Sequence, residues 1–246
     1  YSKKRNYTLK HNAKILIFAV LVFSNSFLSA QIQNISTFDK NRLHYGIAVG
    51  YIQSKFMVEY TTDAAIRENI QGVTSYYLPG FHLSIIGDLR VNDYLNIRIL
   101  PGITFIDRDI NYSLSEQFLA TSHLLDERRT VESVYGDLPL DIKIRSVRWK
   151  NFRPYLITGG KVGFDFASLK NNKNKNNESI IRLAPVDVSY TAGVGFDFYF
   201  TYFKCAIELK MGFGLLDLKV PDETYYTQSI ESIKSRTFTL SITVEG

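Results

Sequence analysis

Apolar and polar residues alternate one by one along much of the chain, which is the pattern of a β-strand with two unlike faces. In the segment that begins at Leu43, the side chains of Leu43, Tyr45 and Ile47 share one face, whereas His44 and Gly46 lie on the other. The same two-residue period appears in eight segments. They cover residues 43–60, 81–90, 95–107, 138–145, 153–166, 186–198, 203–215 and 237–244. The pattern therefore predicts an all-β protein.

The connections between these segments alternate between short and long. Three are short, near residues 91–94, 147–151 and 199–202, and four are long, at about 61–77, 107–137, 167–185 and 216–236. Outer-membrane barrels have short periplasmic turns at one end, long extracellular loops at the other and an even number of strands. The spacing therefore predicts an eight-stranded antiparallel up-and-down transmembrane β-barrel that uses residues 31–246 as a single domain.

Alternation alone leaves open which face points outward, because a soluble eight-stranded barrel of the lipocalin type would bury its apolar face. The polar face here mixes small residues with charges of both signs, which suits a narrow, filled interior. Aromatic residues cluster at the short turns, where a membrane barrel has an interfacial girdle. We expect the periplasmic girdle to consist of Tyr94, Trp149, Phe152, Tyr199, Phe200, Tyr202 and Phe203. These features favour a membrane barrel over an exported soluble one.

The net charge first suggests a polyanionic partner, since 29 Lys and Arg residues against 24 Asp and Glu residues give +5. Five of the basic residues fall within the first 14 positions, however, and the rest of the chain has 24 residues of each sign. Basic residues before nine apolar ones, at 15–23, and small residues up to Ala30 have the layout of a secretory signal peptide. We expect residues 1–30 to be this signal peptide, with a retained anchor as the alternative, and we expect no nucleic-acid partner.

The polar face carries many charges that should point into the barrel. Eight strands enclose a space that side chains just fill, so a solute pore or passage of cargo through the lumen is not expected. Buried charges must then pair with each other. The inward charges are Asp88, Arg90, Arg98, Asp141, Lys143, Arg145, Lys161, Asp165, Asp187, Asp197, Lys204, Glu208 and Lys210. We expect a structural plug of salt bridges, with Arg98 paired to Asp141; a proton or ion path is the alternative.

Catalytic and cofactor chemistry has weaker support in the sequence. His44, His82, Ser84 and Asp88 share the inward face of two segments, so a Ser, His and Asp set is conceivable, but a lipid-cleaving site should open at a rim. The four histidines lack the spacing of metal ligands, and no cofactor is expected. Gly193 and Gly195 are expected to relieve crowding inside the barrel.

A group of short motifs resembles the PorT family of outer-membrane barrels, which belong to the type IX secretion system of Gram-negative bacteria. The motifs are Leu78-Pro79-Gly80-Phe81-His82, Gly87-Asp88-Leu89-Arg90, Asn92, Tyr94-Leu95, Arg98, Pro101-Gly102, Leu138-Pro139-Leu140, Lys143, Arg153-Pro154-Tyr155 and Gly159-Gly160. The resemblance implies an accessory component that protein secretion requires, not an enzyme. It also implies partners among other outer-membrane or periplasmic secretion proteins, besides outer-membrane lipid. One departure is the end at Val244-Glu245-Gly246, where such barrels commonly finish on an aromatic residue.

Loops offer a second possible function, because partners of a membrane barrel are bound outside the strands. Residues 107–134 contain the apolar side chains of Leu114, Phe118, Leu119 and Leu124. This segment would either fold back over the barrel mouth or dock another outer-membrane protein. A structural or adhesive surface barrel that binds ligands through its loops is therefore the alternative to the secretion role. Pro101 lies within a segment and cannot donate to a strand ladder, so we expect a bulge or bend there.

Overall fold

The computed structural model describes residues 41–60, 70–114, 128–171, 183–220 and 230–246. The expected signal peptide, residues 1–30, lies outside these ranges and stays a prediction. The described elements are the strands β1 (Leu43–Tyr60), β2 (Ile70–Thr74), β3 (Leu78–Arg90), β4 (Leu95–Ile99), β5 (Gly102–Leu114), β6 (Arg128–Arg145), β7 (Phe152–Asp165), β8 (Val186–Tyr199), β9 (Lys204–Gly214) and β10 (Ile230–Glu245), and the helix α1 (Phe166–Asn171). No helix in these ranges has the length and apolar character needed to cross a membrane.

The strands close into one antiparallel ring. The strands β6 to β10 pair in chain order, β4 and β5 both pair with β3 on one side and with β6 on the other, and β1 closes the ring by pairing with both β3 and β10. β2 and β3 pair one after the other with β5, so together they occupy one strand position of the barrel. Each such strand position is called a wall of the barrel. β4 and β5 likewise share the neighbours β3 and β6 and form another wall. The predicted up-and-down barrel with eight walls is therefore confirmed.

The strands at the long-loop end extend further than the alternation indicated. β5 continues to Leu114 and β6 begins at Arg128, so much of the segment expected to be a loop at 107–134 is strand. Its centre, residues 115–127, lies outside the described residues, and the question of docking or folding back stays open. The outward side chains of Glu132 and Thr130 are polar, whereas the inward Val131 packs against the apolar residues of the lumen. The pattern of apolar residues outside and polar residues inside therefore ends there although the strand continues.

The wall formed by β4 and β5 is interrupted at Leu100 and Pro101, and Pro101 has no N–H to donate to a strand ladder. The register is unchanged across the gap, because Gly87 faces Ile99 before it and Ser84 faces Gly102 after it. No extra residue is inserted, so the interruption is not the expected bulge, and the expected bend, its alternative, stays a prediction. The backbone N–H of Leu100 donates to the Pro139 carbonyl at 3.1 Å, which keeps the interrupted wall attached to β6.

The two faces of the barrel have opposite chemistry. Large apolar side chains point outward along every wall, such as Ile47 on β1, Ile85 on β3 and Leu140 on β6, each more than half exposed. The inward positions of the same strands hold polar and charged residues, such as Asp88 and Lys143, which are fully buried. A soluble barrel would show the reverse arrangement. The outer surface is therefore built to contact lipid.

The interior itself has two levels. Near the short turns it is charged, whereas near the long loops it is filled by an apolar cluster of Phe56, Val73, Ile110, Leu183, Leu218, Ile230 and Ile233. In a regular strand, Ile230 and Ile233 would point to opposite faces because they are three residues apart. A register shift next to Tyr60 and Ile230 allows both side chains to point inward. The alternation of apolar and polar residues did not predict this apolar level of the lumen. Within the described residues, it closes the long-loop end of the lumen.

The outward apolar face generates a stability prediction. Leu83 lies on the outer face of β3 between Val49 and Ile103 and is 55% exposed. The change Leu83→Arg should lower the free energy of unfolding in lipid vesicles by about 2–4 kcal/mol, the cost of an arginine facing the bilayer core. Urea unfolding followed by tryptophan fluorescence measures this difference. Leu83→Met is the matched control and should be nearly neutral; equal stability of the two variants would contradict a lipid-facing position.

Candidate functional site: the charged lumen

Arg98 is the centre of the charged level of the lumen. Its position on β4 points inward because Ile97 and Ile99, on either side, occupy the apolar outer face. Arg98 Nη1 contacts Glu208 Oε1 at 2.5 Å, and the guanidinium lies 3.7 Å from carboxylate oxygens of both Asp88 and Glu245. All four side chains are fully buried. Burial without partners would be costly, so three carboxylates around one guanidinium hold each other in place.

A second cation shares two of these carboxylates on the side of the barrel nearest the chain end. Lys204 Nζ lies 2.5 Å from Glu245 Oε2 and 3.9 Å from Asp88 Oδ2. Asn96 Nδ2 donates to the other oxygen of Asp88 at 2.5 Å. Asp88 is thus contacted by one amide and two cations. This arm of the network connects β3, β4, β9 and β10.

Tyr155 connects Glu208, one of the partners of Arg98, to a third cation, Lys143. Its hydroxyl donates to Glu208 Oε1 at 2.8 Å, and the ammonium of Lys143 lies 3.7 Å from the centre of its ring. Lys143 also forms an ion pair with Asp197 at 2.9 Å. The ring lies against Gly195, the residue directly opposite Tyr155 on β8. A Cβ at Gly195 would be 2.4 Å from the ring, so the absence of a side chain there makes room for Tyr155, as expected from crowding.

Lys210 extends the network from Glu208 to Asp141. Its Nζ lies 3.4 Å from Glu208 Oε2 and 3.2 Å from Asp141 Oδ2, and Thr191 Oγ1 donates to Asp141 at 3.3 Å. Arg98 and Asp141 do face each other in register across β4 and β6. Their expected ion pair is wrong, however, because the charged partners of Arg98 in the described structure are Asp88, Glu208 and Glu245. The long arginine side chain reaches across the lumen, while the short Asp141 is bound by Lys210.

The network thus includes eight of the expected lumen charges: Asp88, Arg98, Asp141, Lys143, Asp197, Lys204, Glu208 and Lys210. Lys161 pairs instead with Asp137 at 3.5 Å, further from the short turns. Arg90 bonds to Asp93 at the rim, and Arg145 Nη2 donates to the carbonyl of Asn92 at 2.9 Å. Asp165 accepts backbone hydrogen bonds from Ala167 and Ser168 at 2.9 and 3.2 Å and so caps α1. These four residues have local structural contacts outside the central network.

Sequence reasoning missed several members of this interior. The predicted alternation ends at Val244 and so omits Glu245, although the two-residue period places position 245 inside. The predicted list of inward charges omits Tyr155 and Asn96 because both side chains are uncharged. Arg108 was also missed: it is fully buried between the rings of Phe56 and Tyr135, at 4.4 and 5.2 Å. Continuing the period by one residue would have found Glu245 and Arg108.

Between the charged and apolar levels lies a cavity of about 60 Å³. Polar side chains that line it include His82, Ser84, Asp137, Lys161, Lys210 and Thr237. A polar cavity needs roughly 10–15 Å³ for each water, so this one has space for a few waters and not for an organic solute. Among the described residues, side chains pack the lumen above and below this small polar cavity. The cavity itself is too small for a protein or a nutrient.

Among the residues considered for catalysis, Ser84 and His82 are not hydrogen-bonded to each other. His82 faces Gly50 and Ser84 faces Ala48 on the neighbouring strand, while His44 faces Asp88. The buried Ser84 Oγ and His82 Nε2 have no hydrogen-bond partner, so no bond joins the two groups. A nucleophilic serine requires a base within hydrogen-bond reach. Asp88 accepts a hydrogen bond from Asn96 and lies within ion-pair distance of Arg98 and Lys204.

The aromatic residues expected to form a girdle lie at the short turns, with one exception. Tyr94, Trp149, Tyr202 and Phe203 are exposed, and the ring of Phe203 stacks on Phe200 at 4.9 Å. Phe152 stacks on the outward Phe196 at 5.6 Å. The placement of Tyr199 in the girdle needs correction, because its side chain is only 3% exposed. It shares the inward parity of Asp197 and lies beneath the guanidinium of Arg148, at 3.9 Å.

This geometry can be compared with known proteins. A model of the outer membrane protein beta-barrel domain matches residues 29–240, which is most of the chain. The chain belongs to this family. The barrel is therefore an outer-membrane protein, and its short turns face the periplasm, as in other barrels of that membrane.

Solved structures similar to this outer-membrane barrel include Neisserial surface protein A (9% identity, TM-score 0.43) and OprG from Pseudomonas aeruginosa (12% identity, TM-score 0.44). Each alignment covers 83% of this chain, together with 97% and 94% of the respective neighbour. Ail of Yersinia pestis, solved with the heparin analogue sucrose octasulfate, has 13% identity, a TM-score of 0.36 and coverage of 84% and 100%. No curated protein matches the chain. The family match alone carries the assignment.

The contacts of Arg98, at the centre of the network, generate a prediction for this outer-membrane barrel. Arg98→Met should lower the free energy of unfolding by about 3–5 kcal/mol, because it leaves buried carboxylates without their cation. Adding Glu208→Gln should recover part of the loss, since the nearest of these carboxylates is then neutral. Urea unfolding in lipid vesicles measures both effects. Recovery by Asp141→Asn in place of Glu208→Gln would contradict the contacts assigned to Arg98.

The second prediction concerns the space that the network occupies. Gly195→Ala should destabilise the barrel by about 1–3 kcal/mol, the usual cost of overpacking, because its Cβ would displace the Tyr155 ring from Glu208. Gly160→Ala, on the adjacent strand, is the matched control. A Cβ at Gly160 meets no atom within 4 Å, so this change should be neutral or slightly stabilising. Loss of stability of the same size in both variants would indicate a general intolerance of alanine and not a clash with Tyr155.

Proposed function

We propose that this outer-membrane barrel is a non-enzymatic accessory component of type IX protein secretion, which supports the assembly or operation of the translocon. The observation that carries the proposal is the closed lumen: Arg98 and its carboxylate partners fill one level, and apolar side chains such as Ile110 and Leu218 fill the other. A barrel that cannot conduct its cargo must act through its outer surfaces. That favours a supporting role beside the channel of another protein.

The motifs that resemble the PorT family support this proposal. They lie in β3 to β7, and three of their residues, Asp88, Arg98 and Lys143, belong to the charge network. One glycine of these motifs also borders the network, since a Cβ at Gly159 would lie 2.6 Å from a carboxylate oxygen of Asp141. The resemblance therefore includes residues that close the lumen. The residues that fill the lumen therefore lie in the same part of the chain as the motifs that support the secretion role.

A non-enzymatic role also agrees with the interior contacts. Ser84 has no base bonded to its hydroxyl, and the cavity beside it is too small for a lipid or a sugar. The expected signal peptide at 1–30 would deliver the barrel to the envelope. Partners would then be other outer-membrane or periplasmic secretion proteins.

The second candidate is a structural or adhesive barrel that binds ligands outside the cell. One observation favours it: Tyr76 and Tyr77, at the long-loop end, are exposed, and Lys55 lies over the Tyr77 ring at 4.8 Å. Aromatic rings and a cation at the extracellular end are typical of a binding surface. This candidate requires no effect on protein export.

Deletion of the gene distinguishes the two functions. A secretion component predicts that type IX cargo disappears from the culture medium and accumulates inside the envelope, because the translocon lacks its support. Quantitative immunoblotting of medium and periplasm measures this, and a plasmid copy of the native gene should restore secretion. Full secretion in the deletion strain, with loss of surface binding, would contradict the accessory role and support the adhesive one.

A further inference from the structure

The hairpin between β6 and β7 joins the periplasmic rim to the outer wall. Trp149 N donates to the Phe152 carbonyl at 2.9 Å and Phe152 N donates back to Trp149 at 3.0 Å, which leaves Lys150 and Asn151 as a two-residue loop. Trp149 is 75% exposed, and Lys150 is also exposed. The tip of the hairpin thus presents an indole ring next to an ammonium group.

The backbone at the tip is unusual. Lys150 has a φ of 55°, and in the described part of the chain no other residue apart from glycine has a positive φ. The first loop position of a two-residue hairpin with this geometry strongly favours glycine, because other residues are strained there. Backbone strain of this kind is concentrated at functional sites. A lysine at this position keeps a charged side chain at the tip in spite of that strain.

The rim around the hairpin carries more cations than anions. Arg148 lies over the Tyr199 ring at 3.9 Å, with its Nε bonded to the Lys150 carbonyl at 2.6 Å. Arg145 is the last residue of β6 and Arg153 the second residue of β7, and both side chains are buried. Among described residues of the short turns, Asp93 is the one exposed carboxylate, and it is bonded to Arg90. The hairpin therefore has a positive field that would attract an anion.

A groove runs from this hairpin up the outer wall. It has a volume of about 390 Å³ and is lined by Ile144, Arg145, Ser146, Pro154, Leu156 and Phe196 among others. Ile144, Leu156 and Phe196 point outward and supply apolar walls, while Ser146 and Pro154 lie at the end next to the hairpin, where the Arg145 side chain is buried. The apolar groove and the cationic hairpin beside it match the two parts of a phospholipid.

We propose that the Arg148-Trp149-Lys150 hairpin and the adjoining groove bind an anionic phospholipid of the periplasmic leaflet. The phosphate lies against the two cations, the indole lies at the headgroup level, and an acyl chain follows the groove between Leu156 and Phe196. Charge complementarity favours this occupant over a zwitterionic lipid. The groove opens on the same outer wall that contacts the bilayer, which favours a lipid over an acidic protein. The site is independent of the proposed secretion role.

Trp149 is the sole tryptophan of the chain and reports directly on the site. The barrel is reconstituted in vesicles with equal amounts of phosphatidylglycerol and phosphatidylcholine, and only one of the two lipids carries brominated acyl chains. Because total composition is constant, a difference in quenching measures which lipid is enriched beside Trp149. Brominated phosphatidylglycerol should quench the fluorescence more strongly than brominated phosphatidylcholine.

Two variants at one position separate lipid binding from folding. Lys150→Gln should lower the preference for phosphatidylglycerol about fivefold, the effect of about 1 kcal/mol for one basic residue near an anionic surface. Lys150→Gly should lower it equally while relieving the positive φ, so its barrel should remain folded in a heat-modifiability gel. Lys234→Gln, at the long-loop end of β10, is the matched control and should leave the preference unchanged.

Other outcomes would overturn the proposal. Equal quenching by the two brominated lipids in the native barrel would show that no anionic headgroup is selected. A preference that survives in Lys150→Gln and Lys150→Gly would place the selecting charges elsewhere. Equal quenching combined with protection of Trp149 from iodide by poly-glutamate would assign the hairpin to an acidic protein partner.

Discussion

Burial of charge in a narrow lumen is the constraint on which the rest of this structure depends. A charge removed from water must be compensated, and Arg98 is compensated by Glu208 and Glu245. In the ring of eight walls, β4 and β9 lie four steps apart in either direction, so the pair between Arg98 and Glu208 spans the full lumen. Strand ladders connect only neighbours. The ion pairs therefore provide the direct cross-links between opposite walls, and they fill the space that a pore would need.

The sequence predicted most of the fold, because alternation is a strong signal wherever one face contacts lipid and the other is polar. The limits of β1 were predicted correctly, and so was the inward direction of Asp88 and Lys143. The signal failed where strands extend beyond the lipid. There the outward residues, such as Glu132, are polar, so the period no longer distinguishes strand from loop. The apolar level of the lumen was missed for the related reason that Ile230 and Ile233 break the two-residue period at a register shift.

The sequence predicted which residues belong to the candidate site but not which of them pair with each other. Parity identifies which residues point inward, and register identifies which residue lies opposite, as with Arg98 and Asp141. Neither indicates where a long side chain ends after crossing the lumen. Arg98 passes its register partner and reaches Glu208, whereas Asp141 accepts Lys210. Side-chain length and free volume decide these contacts, and a one-dimensional pattern contains neither quantity. The misplacement of Tyr199 differs, because its shared parity with Asp197 already indicated an inward side chain.

Free volume explains why β7 and β8 are rich in glycine on their inner faces. A Cβ at Gly159 would approach Asp141, one at Gly193 would lie 2.8 Å from Lys210, and one at Gly195 would meet the Tyr155 ring. Each of these glycines thus borders a residue of the charge network. Long cations from β4, β6 and β9 fit inside a barrel of this size only because part of the opposite wall has no side chains. Charge balance and packing are therefore satisfied by the same residues, and removal of a single cation would leave a narrow, crowded and negatively charged interior, not an open channel.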